Sequence, residues 1–289
     1  MPILDTQTQV SYAVGGFGEG LDHPECIAWG MDGYAYAGGG AGQVYRIDIE
    51  RGEFSQIANT GRGSVGGMAQ DGSGNVYACS GGELVRVTSG GIVSTYAKAP
   101  PDQPIRAPNY PAFDSEGNLY LSDSGEWKKD NGRVFKVRPG GQAAVWCAEL
   151  RGFPNGLCLS PDGTCLYVVM SLNPPRIVRV AIESDGSAGE VEPVVDLPGS
   201  VPDGVAFDSR GYLYISCYRP DRIYRLSPGG DLEILADDPE GTLMAAPTNI
   251  AFCGPNRDVL LSANLGRRHI SRYEIDARGA PLNYPKLDR

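Results

Sequence analysis

Short apolar segments recur along the chain, and each begins beside one polar or small residue that is called here the anchor. The clearest copy covers residues 202–207 (PDGVAF), in which Asp203 is the anchor and Tyr214 lies in the next predicted strand. In the other copies a Tyr or Leu follows the anchor at the same spacing or one position later. The anchors are Glu25, Gly66, Asn109, Asn155, Asp203 and Thr248.

Successive anchors lie 41, 43, 46, 48 and 45 residues apart, and each interval predicts four short strands. In the fifth unit we expect strands at 205–207, 212–217, 222–226 and 232–235, separated by turns rich in Gly, Pro and Asp. A period of this length, built from short β segments, is typical of a β-propeller. The pattern therefore predicts one all-β domain, residues 1–289, folded as a six-bladed β-propeller of four-stranded antiparallel blades.

The last unit contains three clear strand segments, at 249–252, 259–262 and 270–275. The tail that follows contains prolines and has a low propensity to form a strand. Residues 9–14, at the other end of the chain, alternate like a strand. We expect this N-terminal strand to be the outermost strand of the last blade. Such closure removes the two free edges that an open array of blades would expose.

The first strand of each propeller blade lines the central channel, so the six anchors should meet at one mouth of that channel. Two of them are carboxylates and two are carboxamides, which offer oxygen atoms to a hard or borderline divalent cation. The alternative is local turn chemistry, in which Asn and Asp bond their own backbone. Glu25 is a poor candidate for such turns, which favours the metal site.

Several polar or aromatic residues lie in loops that can extend over the same mouth and contact a small substrate. They are Trp127, Asn173, Tyr218, Arg219 and Asn264. The alternative for each is a surface residue that contacts no ligand. Three aspartates recur in the turn after the first strand. We expect them to cap that turn and assign them no catalytic or binding role. These are Asp114, Asp162 and Asp208.

Charge and composition exclude several classes of function. The net charge is −10 with no basic stripe, which disfavours nucleic acid as a partner. The first residues carry no leader-like apolar segment and no segment is long enough to span a membrane, so we expect a cytoplasmic protein. Seven cysteines without a Cys-x-x-Cys pair predict free thiols, and the two histidines, His23 and His269, exclude a His-rich zinc site. The oligomeric state is open.

Three motifs in this order resemble the senescence marker protein-30/gluconolactonase (regucalcin-like) family of six-bladed propellers. They are Glu25-x-x-x-Trp29, Pro154-Asn155-Gly156-Leu157 followed by residues 160–163, and Pro202-Asp203-Gly204. The resemblance implies a divalent cation held by Glu25, Asn155 and Asp203, with Asn109 as a fourth ligand or substrate contact. It also implies hydrolysis of a lactone, with Asp203 as general base. We expect Ca²⁺, with Zn²⁺, Mn²⁺ or Mg²⁺ as alternatives.

The sequence departs from the family pattern near the third anchor. Sugar lactonases of the family carry Arg-x-Asn-Asp-Gly, whereas this chain has Arg106 one position earlier and Tyr110-Pro111 in place of Asp-Gly. Tyr110 and Trp127 thus indicate a flatter or less polar substrate, and Arg106 is a further candidate substrate contact. The alternatives to a lactonase are a phosphotriesterase, a lyase or isomerase on the same site, and a binding module with a structural ion.

Overall fold

The computed structural model describes residues 1–16 and 19–287, which form six four-stranded antiparallel sheets arranged as blades. The prediction of a six-bladed all-β propeller is confirmed. The chain begins with a single helical turn, α1 (Thr6–Gln9), and continues into β1 (Val10–Val14). Within the described ranges, no helix has the length and apolar character needed to cross a membrane.

The strands follow one another from the centre of each blade outward. Blade 1 contains β2 (Ile27–Trp29), β3 (Ala35–Gly38), β4 (Gln43–Asp48) and β5 (Glu53–Asn59). Blade 2 contains β6 (Val65–Gln70), β7 (Val76–Ser80), β8 (Glu83–Val87) and β9 (Val93–Thr95). Blade 3 contains β10 (Pro108–Phe113), β11 (Leu119–Asp123), β12 (Arg133–Val137) and β13 (Ala143–Cys147).

The second half of the ring repeats this order. Blade 4 contains β14 (Pro154–Leu159), β15 (Cys165–Met170), β16 (Arg176–Ile182) and β17 (Ala188–Asp196). Blade 5 contains β18 (Val201–Phe207), β19 (Leu213–Arg219), β20 (Arg222–Leu226) and β21 (Leu232–Asp237). Blade 6 contains β22 (Pro247–Cys253), β23 (Val259–Asn264), β24 (Ile270–Tyr273) and, outermost, β1.

The N-terminal segment closes the ring, as predicted. β1 pairs antiparallel with β24, so that Val10 faces Tyr273 and Val14 faces Ile270. The residues before α1 also bond blade 5, because the amide of Leu4 donates to the carbonyl of Leu235 at 2.8 Å. The N-terminal segment up to the end of β1 therefore ties blade 5 and blade 6 together at their outer strands.

Apolar side chains of neighbouring blades pack into six clusters, one between each pair of blades. Alternation along the first strand sends successive side chains to opposite neighbours. In β18, for example, Val205 packs in the cluster shared with blade 4, whereas Ala206 contacts the cluster shared with blade 6. Each first strand thus connects two cores, and its position relative to both neighbours is fixed by packing.

Carboxylates cap the turns between the first and second strands, as expected for the three recurring aspartates. The Asp208 carboxylate accepts hydrogen bonds from the amides of Arg210 and Tyr212, both at 2.9 Å. Asp114 does the same for Glu116 and Asn118. Asp162 accepts from the Thr164 amide. All seven cysteines are free thiols, in agreement with the prediction.

The pairing of first and second strands shares one irregularity in blades 2 to 6. The register shifts between the residue before the anchor and the second residue after it, as between Pro202 and Val205 or between Pro247 and Ile250. The same shift occurs in β6, β10 and β14. A β-bulge of this kind bends the strand and re-aims the side chains within it.

Candidate metal centre at the channel mouth

The bulge in β22 turns two consecutive side chains toward the neighbouring first strands. The Thr248 hydroxyl donates to the Glu25 carbonyl at 2.6 Å, and the Asn249 amide nitrogen donates to Asp203 Oδ1 at 3.3 Å. These two side chains reach opposite neighbours, as alternation along a strand requires. The start of β22 therefore bonds the backbone at Glu25 on one side and the Asp203 carboxylate on the other.

Asn155 lies beside Asp203 and is fixed by a serine that directly follows the next strand. Its amide nitrogen donates to Ser171 Oγ at 3.1 Å, and the Ser171 hydroxyl donates in turn to the Pro202 carbonyl at 2.6 Å. Both Asn155 and Asp203 are buried, with 4% and 7% of their surface exposed. Ser171 thus couples the orientation of the Asn155 side chain to the backbone that carries Asp203.

Gly156 allows this close approach of β14 and β18. A Cβ atom added to Gly156 would lie 2.5 Å from the Asp203 carbonyl oxygen, much closer than real Cβ contacts. Any larger residue would push the two strands apart and separate Asn155 from Asp203. The glycine after Asn155 is therefore needed for the approach of the backbones.

Of the two carboxylates of the site, Asp203 is buried and Glu25 is partly buried. Burial raises the pKa of Glu25 to about 7, and the Glu25 carboxylate makes no hydrogen bond to any other described residue. Burial also raises the pKa of Asp203, and the nearby Glu25 charge raises it further, whereas the amides of Asn155 and Asn249 oppose the shift. Two such carboxylates require a proton or a cation between them.

The donor atoms fit a divalent cation that prefers oxygen. Asn155 Oδ1 is buried and has no hydrogen-bond partner in the described residues, and such an orphan acceptor calls for an explanation. Together with the carboxylates of Glu25 and Asp203 it offers carbonyl and carboxylate oxygens, the ligand types of Ca²⁺. In residues 1–16 and 19–287 no group of three His, Cys, Asp or Glu residues is suited to a metal.

Asn109 and Arg106 lie on the side of the mouth formed by blade 3. The Asn109 side chain is partly buried and makes no hydrogen bond within the described chain, so its amide is available to a ligand. Arg106 is exposed, and its backbone amide donates to Asp123 Oδ2 at 3.0 Å. Asp123 is fully buried and also accepts from the Ala107 amide at 2.7 Å. It therefore fixes the loop that carries Arg106.

The predicted loop residues occupy different environments. Trp127 is 54% exposed, and its ring stands edge-on to Phe153 with centroids 5.0 Å apart. The Arg219 guanidinium pairs with Asp221 at 2.5 Å and lies over the ring of the partly buried Tyr218.

Two other candidates make contacts within the protein. The exposed Asn173 donates to Asp130 Oδ1 at 3.2 Å, which joins loops of blades 3 and 4. Asn264 is fully buried and donates to Ser271 Oγ, so the structure assigns it to the blade core and not to the lining. Tyr110 lines a cavity within the channel, together with residues from the far ends of the first strands.

The sequence pattern did not identify Asn249 or Ser171. Asn249 directly follows the anchor of the sixth unit, and the repeated spacing marks only the anchor. The pattern Pro-Thr-Asn at 247–249 holds a possible signal, because two polar residues follow the proline there. Ser171 comes directly after β15, where no repeated spacing marks it.

Comparisons with known proteins find similarity to two proteins that are named as lactonases. The chain is 26% identical over 219 residues to a 6-deoxy-6-sulfogluconolactonase of Pseudomonas putida, covering 74% of this chain and 72% of the relative. It is 28% identical over 180 residues to a gluconolactonase of Zymomonas mobilis, covering 55% of this chain and 49% of that relative. It therefore spans about half the length of the second relative.

A solved structure and a family profile extend the comparison to most of the chain. The structure of a calcium-binding protein, regucalcin, from Agrobacterium tumefaciens has the same fold, with a TM-score of 0.75 at 19% identity, covering 96% of this chain and 99% of that one. The profile of the SMP-30/Gluconolactonase/LRE-like region matches residues 25–263, from the first anchor to the last blade. The chain belongs to the SMP-30/gluconolactonase/LRE-like family.

Proposed function

We propose that this protein is a metal-dependent hydrolase that opens a lactone at the channel mouth, with one divalent cation held by Glu25, Asn155 and Asp203. The observation that carries the proposal is the unsatisfied Asn155 oxygen beside two desolvated carboxylates. Family membership supports it, since two relatives are named as lactonases. Asn109 is the proposed fourth ligand or a substrate contact.

Ca²⁺ is the cation that we propose first. Carboxylate and carboxamide oxygens bind hard cations, and the site offers no sulfur or imidazole ligand of the kind that zinc prefers. The structural relative named regucalcin is described as calcium-binding, which supports the same choice. Zn²⁺, Mn²⁺ and Mg²⁺ are the alternatives to be tested.

Asp203 is the proposed general base. A bound cation would polarise the lactone carbonyl and make a water molecule more acidic. Asp203 Oδ1 accepts from Asn249, which fixes the carboxyl group in one orientation. Burial that raises the pKa of Asp203 also makes its carboxylate a stronger base than an exposed aspartate. Asp203 would take the proton of the attacking water and return it to the leaving alkoxide.

The mouth residues give the proposed substrate contacts. The free Asn109 amide can bond the lactone oxygens, and the exposed Arg106 can bond an acidic or hydroxylated substituent. The exposed face of Trp127 suits a flat ring. Tyr218, Arg219 and Asn173 are proposed to contact larger substituents at the outer rim, and Tyr110 to limit the depth of the site.

The experiment begins with protein stripped by a chelator and a panel of sugar and aromatic lactones. We expect turnover to return when Ca²⁺ is added, and to fall at least 100-fold in Asp203→Asn, since general-base catalysis contributes about 10² to 10⁴. Asp231→Asn, at an exposed turn of the same blade, is the matched control and should remain fully active.

Two outcomes would contradict parts of the proposal. A fully active Asp203→Asn would remove the base from the mechanism. If the stripped protein binds Ca²⁺ at this site but opens no lactone with any ion, the chemistry is not lactone hydrolysis. Phosphotriesters and non-hydrolytic reactions would then be assayed, and a metal that changes only the melting temperature would indicate a binding module.

A further inference from the structure

The cavity that Tyr110 lines is inside the channel, on the far side of the anchors. Its volume is about 330 Å³, and its lining comes from the later residues of the first strands. None of Glu25, Asn155 and Asp203 belongs to this lining. Tyr110, which directly follows the anchor Asn109, does line it and so lies between the metal centre and the cavity.

The cavity exists because every blade places a small side chain at the same position. The third residue after each anchor is alanine in five blades and cysteine in one, and all six are partly exposed in the lining. They are Ala28, Ala69, Ala112, Cys158, Ala206 and Ala251. Larger side chains at this position would fill the axis of the ring, so the empty volume is a feature of the repeat.

A strap formed by residues 278–287 covers the far opening of the cavity. The Ala280 amide donates to the Phe207 carbonyl at 2.9 Å, and the Asn283 side chain donates to the Phe113 carbonyl at 3.0 Å. The Tyr284 hydroxyl donates to the Trp29 carbonyl at 2.8 Å. The strap thus crosses from blade 5 to blade 1 and uses its own polar groups to bond the ends of the first strands.

The lining selects for an uncharged molecule. Among the described residues, no Lys, Arg or His lines the cavity, so these residues offer an anion no partner. The two aspartates of its rim, Asp114 and Asp162, are occupied by the amides of their own turns. The Tyr110 hydroxyl makes no hydrogen bond to any other described residue, and burial raises its pKa, so it remains a neutral donor and acceptor.

We propose that this cavity is a second ligand site, which binds one compact, neutral and largely apolar molecule carrying a single hydrogen-bonding group. An apolar cavity of about 150 Å³ is known to hold benzene, so about twice that volume suits a molecule of two fused rings. The aromatic rings of Trp29, Phe207 and Phe252 provide its contact surface, and Tyr110 bonds the polar group. The proposal is independent of lactone hydrolysis.

The test uses prodan, a neutral naphthalene fluorophore with one carbonyl group, and the full-length protein. We expect saturable binding of one prodan per chain with blue-shifted emission. The double variant Ala206→Met/Ala251→Met fills the cavity from two blades and should weaken binding at least tenfold. Ala148→Met adds the same side chain at an exposed position and should bind prodan like the wild type. Absence of saturable binding, or unchanged affinity in the folded double variant, would overturn the proposal.

A second measurement needs no variant. Crystals of the wild-type protein soaked with bromonaphthalene should show one anomalous bromine peak among the side chains of the six small residues. A peak at the channel mouth or on the outer surface, with none in the cavity, would refute the assignment even if the double variant does not fold.

Discussion

In the absence of a cation, the carboxylates of Glu25 and Asp203 do not stabilise each other. Asp203 is buried and Glu25 is partly buried, and the charge of Glu25 raises the pKa of Asp203. Burying like charges without a partner costs folding free energy. At the scale of the residue, the proposed site would therefore trade stability of the stripped protein for affinity toward a cation.

This trade predicts that one substitution has opposite effects in two conditions. In chelator at pH 8, Asp203→Asn should raise the free energy of unfolding by about 2 kcal/mol, because it removes one of two buried like charges. In saturating Ca²⁺ the wild type should be the more stable protein. Denaturant titrations of both proteins measure this. Asp231→Asn should show neither effect, and a stripped Asp203→Asn less stable than the wild type would disprove the argument.

At the scale of the strand, β14 and β18 place the ligands by their close approach at Gly156. We predict that Gly156→Ala lowers the free energy of unfolding by about 2 kcal/mol and weakens Ca²⁺ affinity, because the added Cβ overlaps the Asp203 carbonyl. Gly90→Ala is the control, since a Cβ there meets nothing closer than 3.8 Å. Calorimetry of binding and unfolding measures both effects. Equal Ca²⁺ affinity in the two variants would contradict this role of the glycine.

The outer strands of blade 6 contain a pH-sensitive contact. His269 is buried, its ring lies 4.3 Å from that of Tyr12 in β1, and its Nε2 bonds the Leu243 carbonyl at 3.0 Å. Burial lowers the pKa of His269, with Arg267 adding to this effect, whereas the bond to Leu243 and the nearby Asp238 oppose it. The folded protein thus holds this imidazole neutral at pH values where the unfolded chain protonates it.

The sign of the pH dependence follows from the lowered pKa. The stabilising contribution of neutral His269 is fully present above about pH 6.5, the unfolded pKa, and is lost as the pH falls toward the folded pKa. We expect the denaturant midpoint to fall between pH 7.5 and pH 5.5, and to fall less in His269→Gln. The same decrease in both proteins would show that other groups cause the acid sensitivity.

At the scale of the whole molecule, the ring depends on the N-terminal segment that ends at Val14. β1 completes blade 6, and the segment before it bonds β21 of blade 5. Deleting residues 1–15 should lower the melting temperature by roughly 10 °C or more, because it exposes β24 and the apolar surface under Val10 and Leu4. Deleting residues 1–4 alone should cost less. A melting temperature unchanged by the longer deletion would refute the closure.

The repeat made the architecture predictable, whereas the site was predictable only in part. The spacing of the anchors predicts six blades because each unit carries the same turn and strand signals. The same spacing predicts that Glu25, Asn155 and Asp203 meet at one mouth of the channel, whereas their selection as a ligand set rests on the family resemblance. Asn249 was not predicted, because the spacing marks one residue in each unit and Asn249 follows that residue. Tyr110 was expected at the mouth, since nothing in the sequence shows how deep a side chain lies.

The bulge recurs in the backbone of several blades, whereas the residue at the anchor position differs from blade to blade. The backbone irregularity is present in five blades, yet the anchor within it differs and is Gly66, Asn109, Asn155, Asp203 or Thr248. Exchanging one of them alters the charge or ligand set at the axis without disturbing the pairing of strands. A propeller of this kind can therefore acquire a different ion preference or a different reaction through single substitutions, while its blades remain as they are.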